Sequence, residues 1–420
     1  MRILMLASSY PKYVGETTAP FIEEIAAGLA ARGHVVHLLA PWHPEIRRAP
    51  CERGVHLHFF HYAPHPALNV WGYAQSMVSD TAVKGRALAV LPFALGGALA
   101  TLYSVAQNAA SAGQPFDLIQ AHWVLPNAPP AALVAGSLGL PLVISLHGSD
   151  IYLAERHWAL VGAAGLAFRC AAAVTACSSD LNARGVRLGA PALRSVVVPY
   201  GVNPDQFRPD PAARAQVRAE LGLHDNEPLI FGLGRLVAKK GFGVLIEAWP
   251  QVLAQHPRAL LVIGGYGDLR EQLEQQAIAL GVAGQVRFVG TLDRTRAAAH
   301  IAAADVFALP IITEGVDGLP NTLLEAMGSG RAVVASRVAG VPDVIDDGVH
   351  GLIVPERAPA PLAAAISRLL ADRPLAERLG AAARTRIAGE LTWAQTAARF
   401  ERVFEQAIIH HRDQERTEPT

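Results

Sequence analysis

Leu229-Ile230-Phe231-Gly232-Leu233, followed without a break by Gly234-Arg235-Leu236-Val237-Ala238-Lys239-Lys240-Gly241, is the stretch on which the reading of this chain turns. The first five residues predict a buried strand of the kind found in parallel sheets. The glycine-bounded run after it carries the cations Arg235, Lys239 and Lys240. Open α/β sheets bind ligands at the carboxyl ends of their strands, which is where these cations fall. The chain holds only four lysines against 32 arginines, and two of the four stand here. Where arginine serves elsewhere as the general cation, a lysine here reads as a compact point charge for phosphate, beside the planar fork of Arg235. The bland alternative is a solvated basic turn, and other parts of the chain weigh against it.

On both sides of this unit, short β-like runs alternate with helical stretches, which implies parallel pairing with helices on both faces. Upstream strands are predicted at 3–7, 35–40, 118–121, 142–146, 173–176 and 196–198, and downstream ones at 259–263, 286–289, 306–309 and 332–335. After a polar loop at 8–19, Thr18 is expected to cap a helix with Pro20 near its start and Phe21, Ile25 and Leu29 on one face. Four prolines and Gly201 between 199 and 211 mark a linker. The expected fold class is α/β: two doubly wound Rossmann-like domains, 1–202 and 203–388, facing a cleft. A C-terminal helix at 389–420 is expected to cross back to the first domain, anchored by Trp393, Phe400, Val403 and Phe404.

The bulk composition removes other classes. At 420 residues the chain is long enough for two cores. Basic and acidic residues balance at 36 each, so no overall field favours nucleic acid or an anionic membrane. Three cysteines without metal-ligand spacing fit a reducing cytoplasm, and the apolar run at 3–7 is too short for a signal-peptide core. The uncharged stretch 87–106 has about the length of a membrane-spanning helix, but Pro92 and Gly96-Gly97 interrupt it. It is expected as a buried or cleft-edge helix of the first domain, with a spanning helix or a lipid-facing role as the alternatives.

A second motif runs from Glu314 to Met327. Pro320 suits the first position of a helix, so the amides of Gly318, Leu319, Asn321 and Thr322 border a helix N-terminus, a ready anion site. Glu325 is spaced to accept both hydroxyls of a ribose, and Asp317 to grip a transferred sugar. A third motif, His147-Gly148-Ser149-Asp150, places titratable groups at the carboxyl end of the strand at 142–146. His56, His58, His61 and His65 have no cysteine and few acids nearby, and read as a polar strand face and loop, with no metal expected. Gly232-Leu233-Gly234 and Gly264-Gly265-Tyr266-Gly267 each lack the third glycine of a dinucleotide fingerprint, so hydride chemistry has little support.

Taken together, these residues resemble glycosyltransferase family 4 (group 1), retaining enzymes of the GT-B fold, over nearly the whole chain. Gly234-Arg235…Lys240-Gly241 and Asp317…Glu325, with Gly318-Leu319-Pro320-Asn321 and Glu325-Ala326-Met327, match its motifs. So do Ser9-Tyr10-Pro11 with Gly15, Arg32-Gly33-His34, Ala121-His122-Trp123, His147–Asp150 and Pro199-Tyr200-Gly201-Val202-Asn203. The resemblance implies that Arg235 and Lys240 hold a donor diphosphate and Glu325 the ribose. Asp317 and residues 318–321 then contact the sugar and phosphate, His147 faces the sugar, and the Gly15 loop closes over it. Asp150 and Thr322 complete the expected donor contacts. It implies a UDP- or GDP-sugar donor, a glycan or lipid-linked acceptor, no metal cofactor, no nucleic acid, and a cytoplasmic enzyme in peripheral contact with the inner membrane face. The chain departs from the pattern at Asp317, where glutamate is usual, and at Tyr200 and Asn203. Two other readings remain, a sugar-nucleotide epimerase of the same fold and a non-catalytic subunit of a glycan-assembly complex.

Overall fold

A computed structural model describes residues 1–63, 65–73, 77–78, 82–224, 226–313 and 318–417. They form two compact units, Met1–Pro199 with Trp393–Thr420, and Tyr200–Thr392. The boundaries expected at 202 and 388 shift because Val202 and Leu391 are tied together. The Val202 N–H donates to Leu391 O at 2.9 Å, and Val202 pairs with Thr392, which draws both segments into the second unit.

The first unit opens with β1 (Arg2–Leu6), α1 (Pro20–Ala31), β2 (Val35–Pro41), β3 (Cys51–Glu52) and β4 (Val55–Phe60). A two-stranded ribbon, β5 (Met77–Val78) and β6 (Ala82–Val83), precedes the long α2 (Gly85–Ser111). Next come β7 (Leu118–His122), α3 (Val124–Leu138), β8 (Leu142–Leu146), α4 (Ser149–Arg156) and α5 (Trp158–Arg169). The run closes with β9 (Ala171–Ala176), α6 (Ser179–Arg187) and β10 (Ser195–Val197). The sheet order is β10-β9-β8-β7-β1-β2-β4-β3, parallel except where β3 meets β4. Strand order reverses between β1 and β7, so the loops after those strands share one edge of the sheet.

Thr18 does not cap α1. Its hydroxyl donates to Glu16 at 2.9 Å, while Ala19 takes the capping position at φ 48° with no side-chain cap. Pro20 opens the helix, where its missing N–H leaves nothing unsatisfied. Nor do Pro92 and the glycine pair end α2, which continues through all three. Ala87, Val90, Ala94, Ala98, Leu102 and Ala106 form its buried stripe, whereas Leu88, Phe93 and Tyr103 are exposed. The helix expected to be buried is therefore buried along one stripe only.

The second unit runs through α7 (Pro211–Glu220), β11 (Leu229–Leu233), α8 (Phe242–Gln255), β12 (Leu260–Gly264) and α9 (Arg270–Ala279). It continues with β13 (Val286–Gly290), α10 (Arg294–Ala303), β14 (Val306–Leu309), α11 (Asn321–Gly328) and β15 (Ala332–Ser336). It ends with α12 (Val341–Val344), β16 (Leu352–Val354), α13 (Pro359–Ala371) and α14 (Arg373–Glu390). Its sheet is fully parallel in the order β13-β12-β11-β14-β15-β16, and the order reverses between β11 and β14.

The last helix, α15 (Trp393–Thr417), returns to the first unit. Ala397, Phe400, Val403, Phe404 and Ala407 join Ile22, Ile25 and Leu29 of α1, together with Ile3, Met5, Val36 and Leu38, in one core. The crossing is tight: a Cβ on Gly28 would lie 2.9 Å from that of Ala397. Glu401 pins it from outside, accepting from Arg32 Nε at 2.9 Å and from His34 Nε2 at 2.8 Å.

Candidate functional site

In the second unit, the loops after β11 and β14 open side by side at the point where strand order reverses. Ala238–Lys240 form a single 3₁₀ turn, and the side chains of Lys239 and Lys240 turn inward, leaving those residues 6% and 9% exposed. Such burial excludes the solvated basic turn. The Lys240 stem lies along Gly234, its carbons 3.4–3.5 Å from where a Cβ would stand. Lys239 O accepts from Ile312 N–H at 2.9 Å, and Gly241, at φ 68°, meets Pro310 so closely that a Cβ would lie 1.7 Å from its oxygen. The two motifs that lie far apart in sequence are therefore joined through their backbones.

The glycines at 264–267 serve the same contact. Gly234 N–H donates to Gly264 O at 3.1 Å and Leu236 N–H to Tyr266 O at 2.7 Å. A Cβ on Gly265 would stand 1.8 Å from Gly234 O, and one on Gly267 2.4 Å from Leu236 O. Two loops from neighbouring strands pack backbone to backbone, which accounts for these glycines without a dinucleotide.

Pro320 takes the position before α11, one residue earlier than expected, and Asn321 begins the helix. Gly318, Leu319 and Pro320 are buried, with Gly318 O accepting from Gly340 N–H at 2.9 Å. Asn321 Oδ1 and Thr322 Oγ1 are buried with no hydrogen-bond partner among the described residues. Glu325 follows on the same helix, and burial pushes its pKa up to about 7 against the pull of Arg294, a cation the sequence reading did not single out. Asp317 and Glu314 lie outside the described residues. A cavity of about 420 Å³ in this unit, lined in part by Arg214, Asp305 and Arg331, opens at the amino-terminal edge of the sheet and contains none of these groups.

In the first unit, His122 ends β7 and His147 follows β8, and the topology brings them together. His122 Nδ1 lies 3.0 Å from His147 Nε2, and the rings stack 5.2 Å apart. Phe21 and Trp123 flank His147 with centroids at 4.8 and 4.9 Å. Burial pushes the His122 pKa down to about 3, and burial with the neighbouring His122 holds His147 well below the usual imidazole range. Both rings are thus neutral at pH 7 and act through hydrogen bonds. His122, matched above but given no role, has a buried Nε2 without a partner among the described residues. Asn127 Nδ2 ties the loops after β1 and β7 by donating to Ser8 Oγ at 2.9 Å and His122 O at 2.6 Å. Gly15 sits exposed in the loop after β1, at φ 87° and with open space around it.

Asp150, expected as a donor contact, is held by the backbone of its own unit. It is 2% exposed, and its two oxygens accept from Val124 N–H at 2.9 Å and Gly148 N–H at 3.0 Å. Burial raises its pKa while those and other backbone amides pull it down. The carboxylate therefore staples the turn after β7, where Trp123 is held at φ 65°, to the turn after β8. Asp150→Ala strands two buried N–H groups, and urea unfolding is expected to show a loss of about 2–4 kcal/mol. A loss below about 1 kcal/mol contradicts the staple.

Residues 213–386 match a family described as glycosyl transferases group 1, and residues 17–201 match a glycosyl transferase 4-like domain. A GDP-mannose-dependent alpha-(1-6)-phosphatidylinositol monomannoside mannosyltransferase of Mycobacterium tuberculosis is 38% identical over 231 residues, 54% of this chain and 60% of that protein. The match thus spans less than two thirds of that relative's length. The protein of the same description from Mycolicibacterium smegmatis is 35% identical over 267 residues, 62% of this chain and 68% of that one. Among solved structures, Anabaena HepE in complex with UDP and glucose superposes with a TM-score of 0.74 at 20% identity, covering 96% of this chain and 99% of that chain. Sucrose-phosphate synthase from Thermosynechococcus elongatus gives 0.76 at 21% identity, over 97% and 99% of the two chains. At such identities the likeness speaks for the fold.

Proposed function

The chain belongs to the group 1 glycosyltransferases, a family of GT-B fold, and from that premise we propose its reaction. A sugar passes from a UDP- or GDP-linked donor to a hydroxyl acceptor with retention at the anomeric carbon. The bond from that carbon to the β-phosphate oxygen breaks, the bond to the acceptor oxygen forms on the same face, and the acceptor proton passes to the departing phosphate. The observation that carries this reading is the junction of the loops after β11 and β14, which joins two inward-turned lysines to the segment leading into α11.

In this reading Arg235, Lys240 and the amides of Gly318, Leu319, Asn321 and Thr322 take up the charge of the leaving diphosphate, which is the role a metal plays elsewhere, so none is invoked. Glu325 accepts the ribose hydroxyls, Asp317 contacts the transferred sugar, and His147 keeps the donor-sugar role that the family resemblance implies. The acceptor is a glycan or lipid-linked hydroxyl in cell-surface glycan assembly, with the enzyme acting in the cytoplasm. Phosphatidylinositol in the description of the mycobacterial relatives supports a lipid-linked acceptor.

A thermal-shift panel of UDP-, GDP- and ADP-sugars tests the proposal. A donor at a hundredfold excess over Kd stabilises by about 2.7 kcal/mol, which for a unit of this size raises Tm by about 5–10 °C. No shift with any donor, and no transfer to any acceptor, defeats the reading. The same assay run against pH isolates Glu325. Its pKa is raised from 4.5 to about 7, so the stability it lends the unliganded fold is present below pH 4.5 and is lost as pH rises through about 7. A ribose bound by the ionised carboxylate reverses the preference, so donor affinity is expected to rise through pH 7. In Glu325→Gln, both pH dependences are expected to flatten and donor affinity to fall.

A further inference from the structure

The cavity at the amino-terminal edge of the second sheet lies across that sheet from the loops after β11 and β14. At about 420 Å³ it falls within the range of small-molecule sites. Asp305, the residue before β14, anchors its charged side. Arg214 Nη2 donates to Asp305 Oδ1 at 2.6 Å, Arg218 Nη1 to Oδ2 at 3.3 Å, and the Leu229 N–H to Oδ2 at 2.8 Å. Two guanidiniums therefore already share this carboxylate when a third, Arg331, enters the same cavity from the residue before β15. Arg331 Nε donates to Ser329 O at 3.2 Å and Nη1 to Ala304 O at 3.3 Å. Its Nη2 has no partner among the described residues, and no carboxylate pairs with it. Burial and then the charge of Arg214 lower the Arg331 pKa, and Asp305 and Glu377 do not offset them.

Ser329 and Ala304 are the C-caps of α11 and α10, so Arg331 closes two helix ends, a common use of arginine. Capping employs Nε and Nη1 and leaves unexplained an open nitrogen facing a cavity. The acids on the walls are engaged elsewhere: Glu227 accepts from the His224 N–H at 2.8 Å, and Glu377 from Arg373 Nε at 2.9 Å. Pro228, Leu369, Leu370 and Ala376 supply an apolar wall. A phosphoryl group matches the charged side, because its oxygens accept from several guanidinium forks at once. We propose that this cavity binds a small phosphorylated anion, with Arg331, Arg214 and Arg373 on the phosphoryl oxygens and the apolar wall against whatever the phosphate carries. The site is separate from the donor loops, so the inference does not rest on the transferase reading.

Calorimetry of the full chain with glycerol 3-phosphate and with inorganic phosphate tests it, and the tighter of the two identifies the source of the phosphoryl group. Binding is expected in the wild type and in Lys240→Met, which separates this cavity from the diphosphate grip. Arg331→Met is expected to weaken it by about tenfold to a hundredfold, the cost of a charge-assisted hydrogen bond. Arg373→Glu is expected to weaken it by about twofold to fivefold. The Arg373 side chain is 86% exposed, so this second variant keeps the fold and its effect reads binding alone. Absence of binding by the wild type overturns the proposal. Unchanged binding in both arginine variants, or binding lost in Lys240→Met and kept in Arg331→Met, overturns it as well.

Discussion

Lys240→Met is expected to lower kcat/KM for the sugar-nucleotide donor by about a hundredfold to a thousandfold, the usual cost of removing one preorganised charge from a developing oxyanion. Methionine keeps the stem that lies on Gly234, so the fold and its melting temperature are expected to stay near those of the wild type. The effect is large because Lys240 is largely buried, and a charge–charge interaction there is screened less than in water. It appears in turnover because the diphosphate gains charge as the glycosidic bond breaks, so the cation binds the transition state more tightly than the ground state. Steady-state kinetics with saturating acceptor, beside donor affinity by calorimetry, separate the two parts. Full donor affinity together with full turnover in this variant means that Lys240 is not the phosphate grip.

Gly241→Ala is expected to destabilise the second unit by about 3–5 kcal/mol, combining left-handed backbone strain with overpacking. The residue holds φ 68°, and its Cβ would fall 1.7 Å from Pro310 O, a backbone atom that cannot swing aside. Gly222 provides the internal comparison, with φ 70° and nothing within 4 Å of its Cβ. Gly222→Ala carries only the conformational penalty, about 1 kcal/mol. Denaturant unfolding of both variants measures the difference. Equal losses at the two positions mean that the loops after β11 and β14 yield, and that their junction is not rigid. A larger loss at 241, with donor binding gone, ties the stability of that junction to the site.

The loops after β11 and β14 were largely legible because their signals are local. A glycine-bounded run of cations after an apolar strand announces a ligand loop, and the scarcity of lysine makes Lys239 and Lys240 stand out. The proline and asparagine before Glu325 mark a helix start within one residue of its observed place. Asp150 carries a similar local signal, an acid after a strand, and only its two backbone donors reveal the staple. Thr18 misled, since Glu16 captured its hydroxyl from two residues away.

Other features depend on which parts of the chain become neighbours. The glycines at 265 and 267 are explained by the backbone at 234–236, which comes alongside only because β11 pairs with β12. His122 acquires its partner because β7 lies beside β8, and Lys239 meets Ile312 because β11 lies beside β14. The apolar character of 87–106 was plain from composition, whereas its single buried stripe depends on how α2 lies along α3 and the sheet. Apolar period, glycine and proline punctuation, and charge placement act over a few residues, so the strand–loop–helix units and the cations of Gly234–Gly241 follow from them directly. Strand order and burial arise from pairing between distant segments. Those contacts turned the lysines inward, joined them to the α11 loop, and left one face of α2 bare.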